Sequence, residues 1–302
     1  MGRAVAEAYP AARAVFEAVD EALGEKLSAL IFEGEPDRLA LTENAQPALM
    51  AVSVATLRAL EAEGVALARD AAFVAGHSLG EYSALVAAGA LEVGAAARLL
   101  RLRGRAMQAA TPLGVGAMAA LLGLDVEAAA AVAAEAAQGE VCEVANDNAP
   151  GQVVVSGHKA AVERAVAIAA GRGAKRSVML AVSAPFHCAL MAPAAEAMRE
   201  ALAEATLRAP AVPVVCNVRA EAVSDPETLR ALLVEQVTAT VRWRESVLWM
   251  AARGVREQVE VGAGKVLSGL VRRIDRDLAA VAVNEPGDVA AFAAAVARQP
   301  AG

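Results

Sequence analysis

The five residues Gly76-His77-Ser78-Leu79-Gly80 follow directly on the apolar run Ala71-Ala72-Phe73-Val74-Ala75 and lead into the helix-forming segment Tyr82 to Ala88. A chain that passes from a buried strand through a tight turn into a helix has few folds open to it. Small residues are needed on both sides of the serine, because the backbone doubles back there and partner groups come close. The serine hydroxyl is pushed out of the bend, and the helix behind it presents free N–H groups toward developing negative charge. A GxSxG pentapeptide alone recurs by chance in a chain rich in glycine and alanine. The strand before it and the helix after it give it weight as a nucleophile turn in an α/β protein.

The remaining pattern divides the chain. Apolar residues recur at helical spacing from Val5 to Leu30, and Leu49 to Glu63 reads as a helix closed by Gly64. From Ala117 the rhythm changes: strand 117–122, helix 126–137, strand 141–146, the turn DNAPG, strand 152–156, helix 159–170 and strand 176–181. The order β-α-β-β-α-β is that of a ferredoxin-like unit. The class expected is therefore α/β, with a hydrolase-like core of mainly parallel sheet over residues 1–114 and 184–302. A ferredoxin-like subdomain, residues 115–183, is inserted into it. Beyond the insert, a helix after Pro185, a strand at 212–216, helices at 226–236 and 246–253, a strand at 257–261 and a further helix are expected.

Composition excludes several function classes. Lys and Arg number 28 against 35 Asp and Glu, a formal charge of −7, which argues against a dedicated nucleic-acid binder. Two stretches lack charge for nearly the about 20 residues a membrane span needs, Ala106 to Leu124 and Ser177 to Ala195. Both carry prolines, with glycines in the first and a histidine in the second. No secretory signal is visible at MGRAVAEAYP, so a cytoplasmic protein without a membrane anchor is expected. Cys142, Cys188 and Cys216 form no CxxC pair and are expected to be reduced core thiols, without a metal site. GAGKVL (262–267) is no phosphate loop, since Val259 stands where Walker A needs glycine and Val266 where it needs Ser or Thr.

A serine hydroxyl needs a base, and the histidines are His77, His158 and His187. His77 is inside the turn, its side chain directed away from where a base must sit. His158 stands at the expected start of a helix, the place of a capping or solvated residue. His187 is favoured over His158 by elimination, against the alternative that it is a core histidine satisfied by its neighbours. Cys188 beside it reads as core. Arg98, Arg101, Arg103 and Arg105 form a basic cluster that, taken alone, reads equally well as a solvated helix face.

Nine motifs together carry a resemblance: TENAQPAL (42–49), AGHSLGEYSAL (75–85), RGRAMQ (103–108), GAMAALLGL (116–124), NAPGQVVVSG (148–157), GAKR (173–176), FHCALMAPAA (186–195), VPVVCNV (212–218) and VGAGKVLSGL (261–270). In these the chain resembles the malonyl-CoA:acyl carrier protein transacylase family of bacterial fatty acid synthesis. The resemblance implies Ser78 as nucleophile, His187 as general base and Leu79 as the donor of an oxyanion N–H. It implies that main-chain carbonyl oxygen near Gln236 orients the imidazole, with Thr240 or a neighbour standing where the family usually has proline. It implies Arg103 as the cation that holds the malonyl carboxylate, a pairing that two parallel guanidinium donors fit. No cofactor is implied; the partners are a coenzyme A thioester and acyl carrier protein, and a monomer is expected. Acyl carrier proteins being acidic, Lys159, Arg164, Lys175, Arg176 and Arg272 are candidates for a basic docking patch.

The family opens with a strand and a GQGSQ-type loop, and Met1-Gly2-Arg3 matches the segment just after that loop. On this reading either the start lies upstream or this form has lost an oxyanion donor, a loss worth on the order of 10²–10³ in rate. Two rival classes follow. One is a serine hydrolase or thioesterase of α/β-hydrolase type, disfavoured because its histidine falls near the C-terminus whereas His187 lies far from it. The other is an impaired, truncated binding module.

Overall fold

The computed structural model describes residues 1–298. Nine strands occur among them: β1 (Val74–Ala75), β2 (Gly116–Leu122), β3 (Cys142–Ala149), β4 (Gln152–His158), β5 (Arg176–Met179), β6 (Val214–Cys216), β7 (Glu221–Val223), β8 (Glu257–Val261) and β9 (Ala279–Val283). They form mixed sheets in a helix-rich α/β protein. β1 pairs parallel with β6, Val74 opposite Val214, and β7 pairs antiparallel on the far side of β6. β8 and β9 make a separate parallel pair. The expected mainly parallel sheet is thus broken into short pieces, because the run at 71–75 forms a strand at its last two residues only and helices supply most of the surrounding core.

The middle of the chain forms one antiparallel sheet in the order β3-β4-β2-β5. The helices Val126–Ala137 and Lys159–Gly171 bury Val132, Ala136, Val162 and Ala165 against Leu121, Val153 and Val155, a core separate from that of the larger body. Alternation places these side chains on one face of each strand, as the period of two requires.

A seam joins this sheet to the rest of the chain. The Asp147 carboxylate, buried at the end of β3, accepts from Arg244 Nε at 2.9 Å and pairs with its Nη2 at 2.8 Å. Asp147 N donates to Val241 O, Val241 N donates to Ala145 O, and Thr240 Oγ1 donates to Val144 O at 2.5 Å. Thr240 therefore serves a loop that a proline, lacking a side-chain donor, would hold differently.

The helix Thr42–Ala62 starts earlier than the periodicity predicts and runs through Pro47. It crosses the helix Val93–Ala109 at Gly104, where an added Cβ would lie 2.5 Å from Glu43 Cα. That close crossing draws Arg103 off the surface and into the core beside the nucleophile turn. Overpacking a closed contact costs about 1–3 kcal/mol, so Gly104→Ala is expected to lower the urea midpoint by that much stability with an unchanged m value. A midpoint within error of the parent would show that the crossing has slack.

Candidate active site

Gly76 is required by the turn: an added Cβ would lie 1.9 Å from Gly80 O. Ser78 sits at the apex with φ 52°, a left-handed conformation rare outside glycine. The strain, about 1–3 kcal/mol for such a residue, is held by Asn217 at the end of β6. Asn217 Oδ1 accepts from Ser78 N at 2.7 Å, and its Nδ2 donates to Gly76 O at 2.8 Å. Leu79 is the N-cap of the helix Gly80–Ala87, so its N–H belongs to the open end of that helix.

His187, also left-handed at φ 58°, faces the serine across the segment that returns from the small body. Ser78 Oγ and His187 Nε2 are 2.8 Å apart, and His187 Nδ1 lies 2.8 Å from Gln236 O. A carbonyl only accepts, so Nδ1 carries the proton and Nε2 is left bare to receive the serine's. The orienting partner is a main-chain carbonyl, where a Ser-His-Asp hydrolase has a carboxylate. Burial, and then the charge of Arg103, push the imidazole down to about 3.

Arg103 is 1% exposed. Its Nη2 donates to Ser78 Oγ at 3.1 Å and to Gln236 Oε1 at 3.0 Å, and Nη1 donates to Gln46 Oε1 at 2.7 Å. Its helix neighbours Arg101 and Arg105 pair with Glu25 and Glu43, but Arg103 forms no ion pair with a carboxylate among the described residues, and its Nε lacks a partner there. The predicted residues Ser78, Leu79, Arg103, His187 and Gln236 thus converge on one point. His158 does not: its Nδ1 accepts from Val141 N in the small body. His77 turns away toward Asn148 Oδ1 at 2.8 Å, with burial lowering its pKa.

Sequence reasoning missed Gln46, Glu81 and Asn217. Glu81 Oε2 accepts from Asn217 N at 2.9 Å and from Gln236 Nε2 at 2.8 Å; burial raises its pKa. Asn217 is a lone polar residue inside the apolar run Val214 to Val218, a signal that could have singled it out; Gln46 and Glu81 stand among other polar residues and carry no such mark. The three cysteines are free and buried. Among the described residues no group of three or more potential metal ligands occurs, and no helix is long and apolar enough to cross a membrane.

A serine held in strain at a strand-to-helix turn, with a bare imidazole nitrogen in reach, makes this a serine-nucleophile enzyme of the α/β class. Within that class the family is fixed by comparison: residues 1–294 match the model described as acyl transferase domain, and the chain belongs to that family. The malonyl CoA-acyl carrier protein transacylase of Escherichia coli (strain K12) is 47% identical over 287 residues, 95% of this chain and 92% of that one. The crystal structure of acyl-carrier-protein-S-malonyltransferase from Bartonella henselae superposes with a TM-score of 0.96 at 52% identity, covering 98% of this chain and 95% of that one. A malonyl-transacylase solved in complex with its type II PKS acyl-carrier protein gives a TM-score of 0.92 at 42% identity, covering 96% and 93%.

An imidazole is a base only while neutral, and His187 stays neutral above its depressed pKa. A solvated imidazole titrates near about 6.5. Labelling of Ser78 by a fluorophosphonate is therefore expected to show no inflection near that value between about pH 5 and about pH 8. A fall in rate centred there as pH drops would mean that water reaches the imidazole.

Proposed function

We propose that this chain moves a malonyl group from coenzyme A to the pantetheine thiol of acyl carrier protein through an acyl-Ser78 intermediate. One observation carries the reading: a buried guanidinium without a carboxylate partner stands at hydrogen-bond distance from the nucleophile. Burying an unpaired cation is expensive unless a partner arrives. A malonyl thioester brings its own carboxylate on the acyl side, and Arg103 offers the planar donors that fit it.

In the first step Ser78 Oγ passes its proton to His187 Nε2 and attacks the thioester carbonyl carbon. The carbon–sulfur bond breaks, and the coenzyme A thiolate leaves with the proton from His187. The Leu79 N–H is the donor suited to the oxyanion between these events. In the second step the carrier's thiol gives its proton to His187, its sulfur attacks the ester carbonyl, and Ser78 Oγ departs and is reprotonated. Gln236 keeps the imidazole in one tautomer throughout. A malonyl carboxylate seated on Arg103 also cancels the second cause that weakens His187, so the base gains strength when the right cargo is bound.

The chain is two units on this reading, a hydrolase-like body of residues 1–114 and 184–302 and a ferredoxin-like unit of residues 115–183. The order β3-β4-β2-β5 with two helices on one face supports the second. Three buried free thiols fit a reducing compartment, the cytoplasm. Of the basic residues considered for the carrier, Arg164 spends its guanidinium on Ala136 O, Ala137 O and Glu140. Lys159, Lys175, Arg176 and Arg272 are exposed and are the better candidates for an acidic partner.

Incubation with malonyl-CoA followed by mass spectrometry is expected to show a malonyl adduct on Ser78 that Ser78→Ala abolishes. Arg103→Ala is expected to lose malonyl transfer by about 10²-fold or more while keeping acetyl transfer, since a carboxylate beside the Ser78 turn then has no cation to pair with. Malonyl preference retained in Arg103→Ala would refute the assignment. Release of the malonyl group to water faster than to the carrier thiol would favour a hydrolase.

Docking driven by charge is screened by salt. Affinity for acyl carrier protein is thus expected to fall from low to moderate ionic strength, and an unchanged affinity would remove the basic patch from the account.

A further inference from the structure

We propose that Glu81 is a positioning residue whose carboxylate fixes the amide of Gln236 and, through that amide, sets Arg103 against Ser78 and the acyl carboxylate. The inference rests on the reading of Arg103 given above and goes beyond it by naming what holds the guanidinium in place.

Glu81 lies three residues after the nucleophile, on the inner face of the helix Gly80–Ala87, and is 1% exposed. It forms no ion pair within 4.0 Å among the described residues; the charge of Arg103 acts on it only across the Gln236 amide, and burial raises its pKa. What it has instead are two donors on the same oxygen, Asn217 N and Gln236 Nε2.

The Gln236 amide is the joint of the site. Its Nε2 faces Glu81 Oε2 at 2.8 Å, Ser78 O at 3.1 Å and Asn217 Oδ1 at 3.2 Å, while its Oε1 accepts from Arg103 Nη2 at 3.0 Å. An amide has one donor end and one acceptor end. Turned over, it would press N–H groups against the guanidinium and leave Glu81 facing an oxygen. Ser78 O, Asn217 Oδ1 and Arg103 also disfavour the turned-over state, but the shortest contact of Nε2, and the one to a carboxylate, is to Glu81. It also holds Asn217 N, and Asn217 brackets the strained turn at Ser78 N and Gly76 O. One carboxylate oxygen therefore steadies both neighbours of the nucleophile.

The geometry separates shape from charge. Both bonds land on Oε2, and Oε1 has no hydrogen-bond partner among the described residues. Glu81→Gln can keep an oxygen at the Oε2 place and lose little. Glu81→Met keeps the volume and has no such acceptor, and Glu81→Asp keeps the charge but withdraws the oxygen by one methylene.

The test compares the acylation kcat/KM for malonyl-CoA and for acetyl-CoA in the parent and in Glu81→Met, Glu81→Asp, Glu81→Gln and Arg103→Ala, with thermal unfolding of each. A misplacement near 1 Å at a reacting centre costs about 10²-fold, so Glu81→Met and Glu81→Asp are expected to lower the malonyl-to-acetyl ratio by about 10- to 100-fold. Glu81→Gln is expected to restore the ratio to within about threefold of the parent. If Glu81→Met does not fold, Glu81→Asp against Glu81→Gln decides alone. An unchanged ratio, an equal loss for both substrates, or a Gln variant as poor as the Asp variant overturns the proposal. Should Arg103→Ala keep malonyl preference, the reading of Arg103 fails and this inference with it. Should Arg103→Ala lose it while the Glu81 variants keep it, this inference alone fails.

Discussion

A guanidinium buried beside a serine hydroxyl, with no carboxylate of its own, is the constraint around which the site is arranged. Removing a cation from water costs on the order of several kcal/mol even after relaxation. Neutral acceptors meet part of that cost: Gln46 Oε1, Gln236 Oε1 and Ser78 Oγ each take one N–H of Arg103, and the Tyr82 ring lies 5.9 Å from its Cζ. Neutral acceptors satisfy hydrogen bonds without cancelling the charge, and the nearest buried carboxylate, Glu81, acts on it only across the Gln236 amide. The fold thus holds in place a buried cation whose hydrogen bonds all go to neutral groups, the feature on which the proposed role of Arg103 rests.

Holding it there requires rigid supports from distant parts of the chain. Gln46 comes from the helix Thr42–Ala62, Arg103 from the helix Val93–Ala109 that crosses it at Gly104, Gln236 from the end of the helix Pro226–Glu235 and Asn217 from the end of β6. Ser78 and His187 are both held at positive φ. Two strained residues facing each other persist only where their surroundings over-determine them. The seam of Asp147, Arg244 and Thr240 anchors the loop that carries Gln236 O to the small body, so the orientation of the imidazole depends on contacts between the two units.

Much of this was legible in the sequence because it is local. The turn at Gly76–Gly80, the β-α-β-β-α-β order and the helix 126–137 follow from periodicity and glycine placement within a few residues. The short strands β7 and β9 were not: three residues are too few to show alternation, and Ala279–Val283, Ala-Ala-Val-Ala-Val, is rich in the best helix former. Among the arginines, spacing could have said more than it did. Arg98, Arg101 and Arg105 lie three and four apart and share one helical row, which Arg103 does not. The row does not sort them by burial alone, since Arg98 and Arg105 are exposed but Arg101 is buried like Arg103; what sets Arg101 apart is its ion pair with Glu25. Glu81, Gln46 and Asn217 stayed invisible because what sets them apart is their partners, Asn217 for Glu81 and Arg103 for Gln46, more than 50 positions away along the chain.

The supports also divide the electrostatic labour in a way that bears on selectivity. His187 is held neutral by burial first and by the cation second, so both causes act against protonation of the imidazole while Arg103 has no anionic partner. A neutral acyl group leaves the cation uncancelled and the base weak. On the proposed reading a carboxylate-bearing acyl group cancels the charge, and the imidazole then accepts the serine proton more readily. Preference for the charged cargo is thereby expressed in the chemical step as well as in binding, because the same guanidinium touches the hydroxyl and lowers the basicity of its partner. A tighter grip elsewhere in the pocket could raise affinity but could not reproduce that coupling, which requires the cation, the hydroxyl and the imidazole to stand in one another's fields.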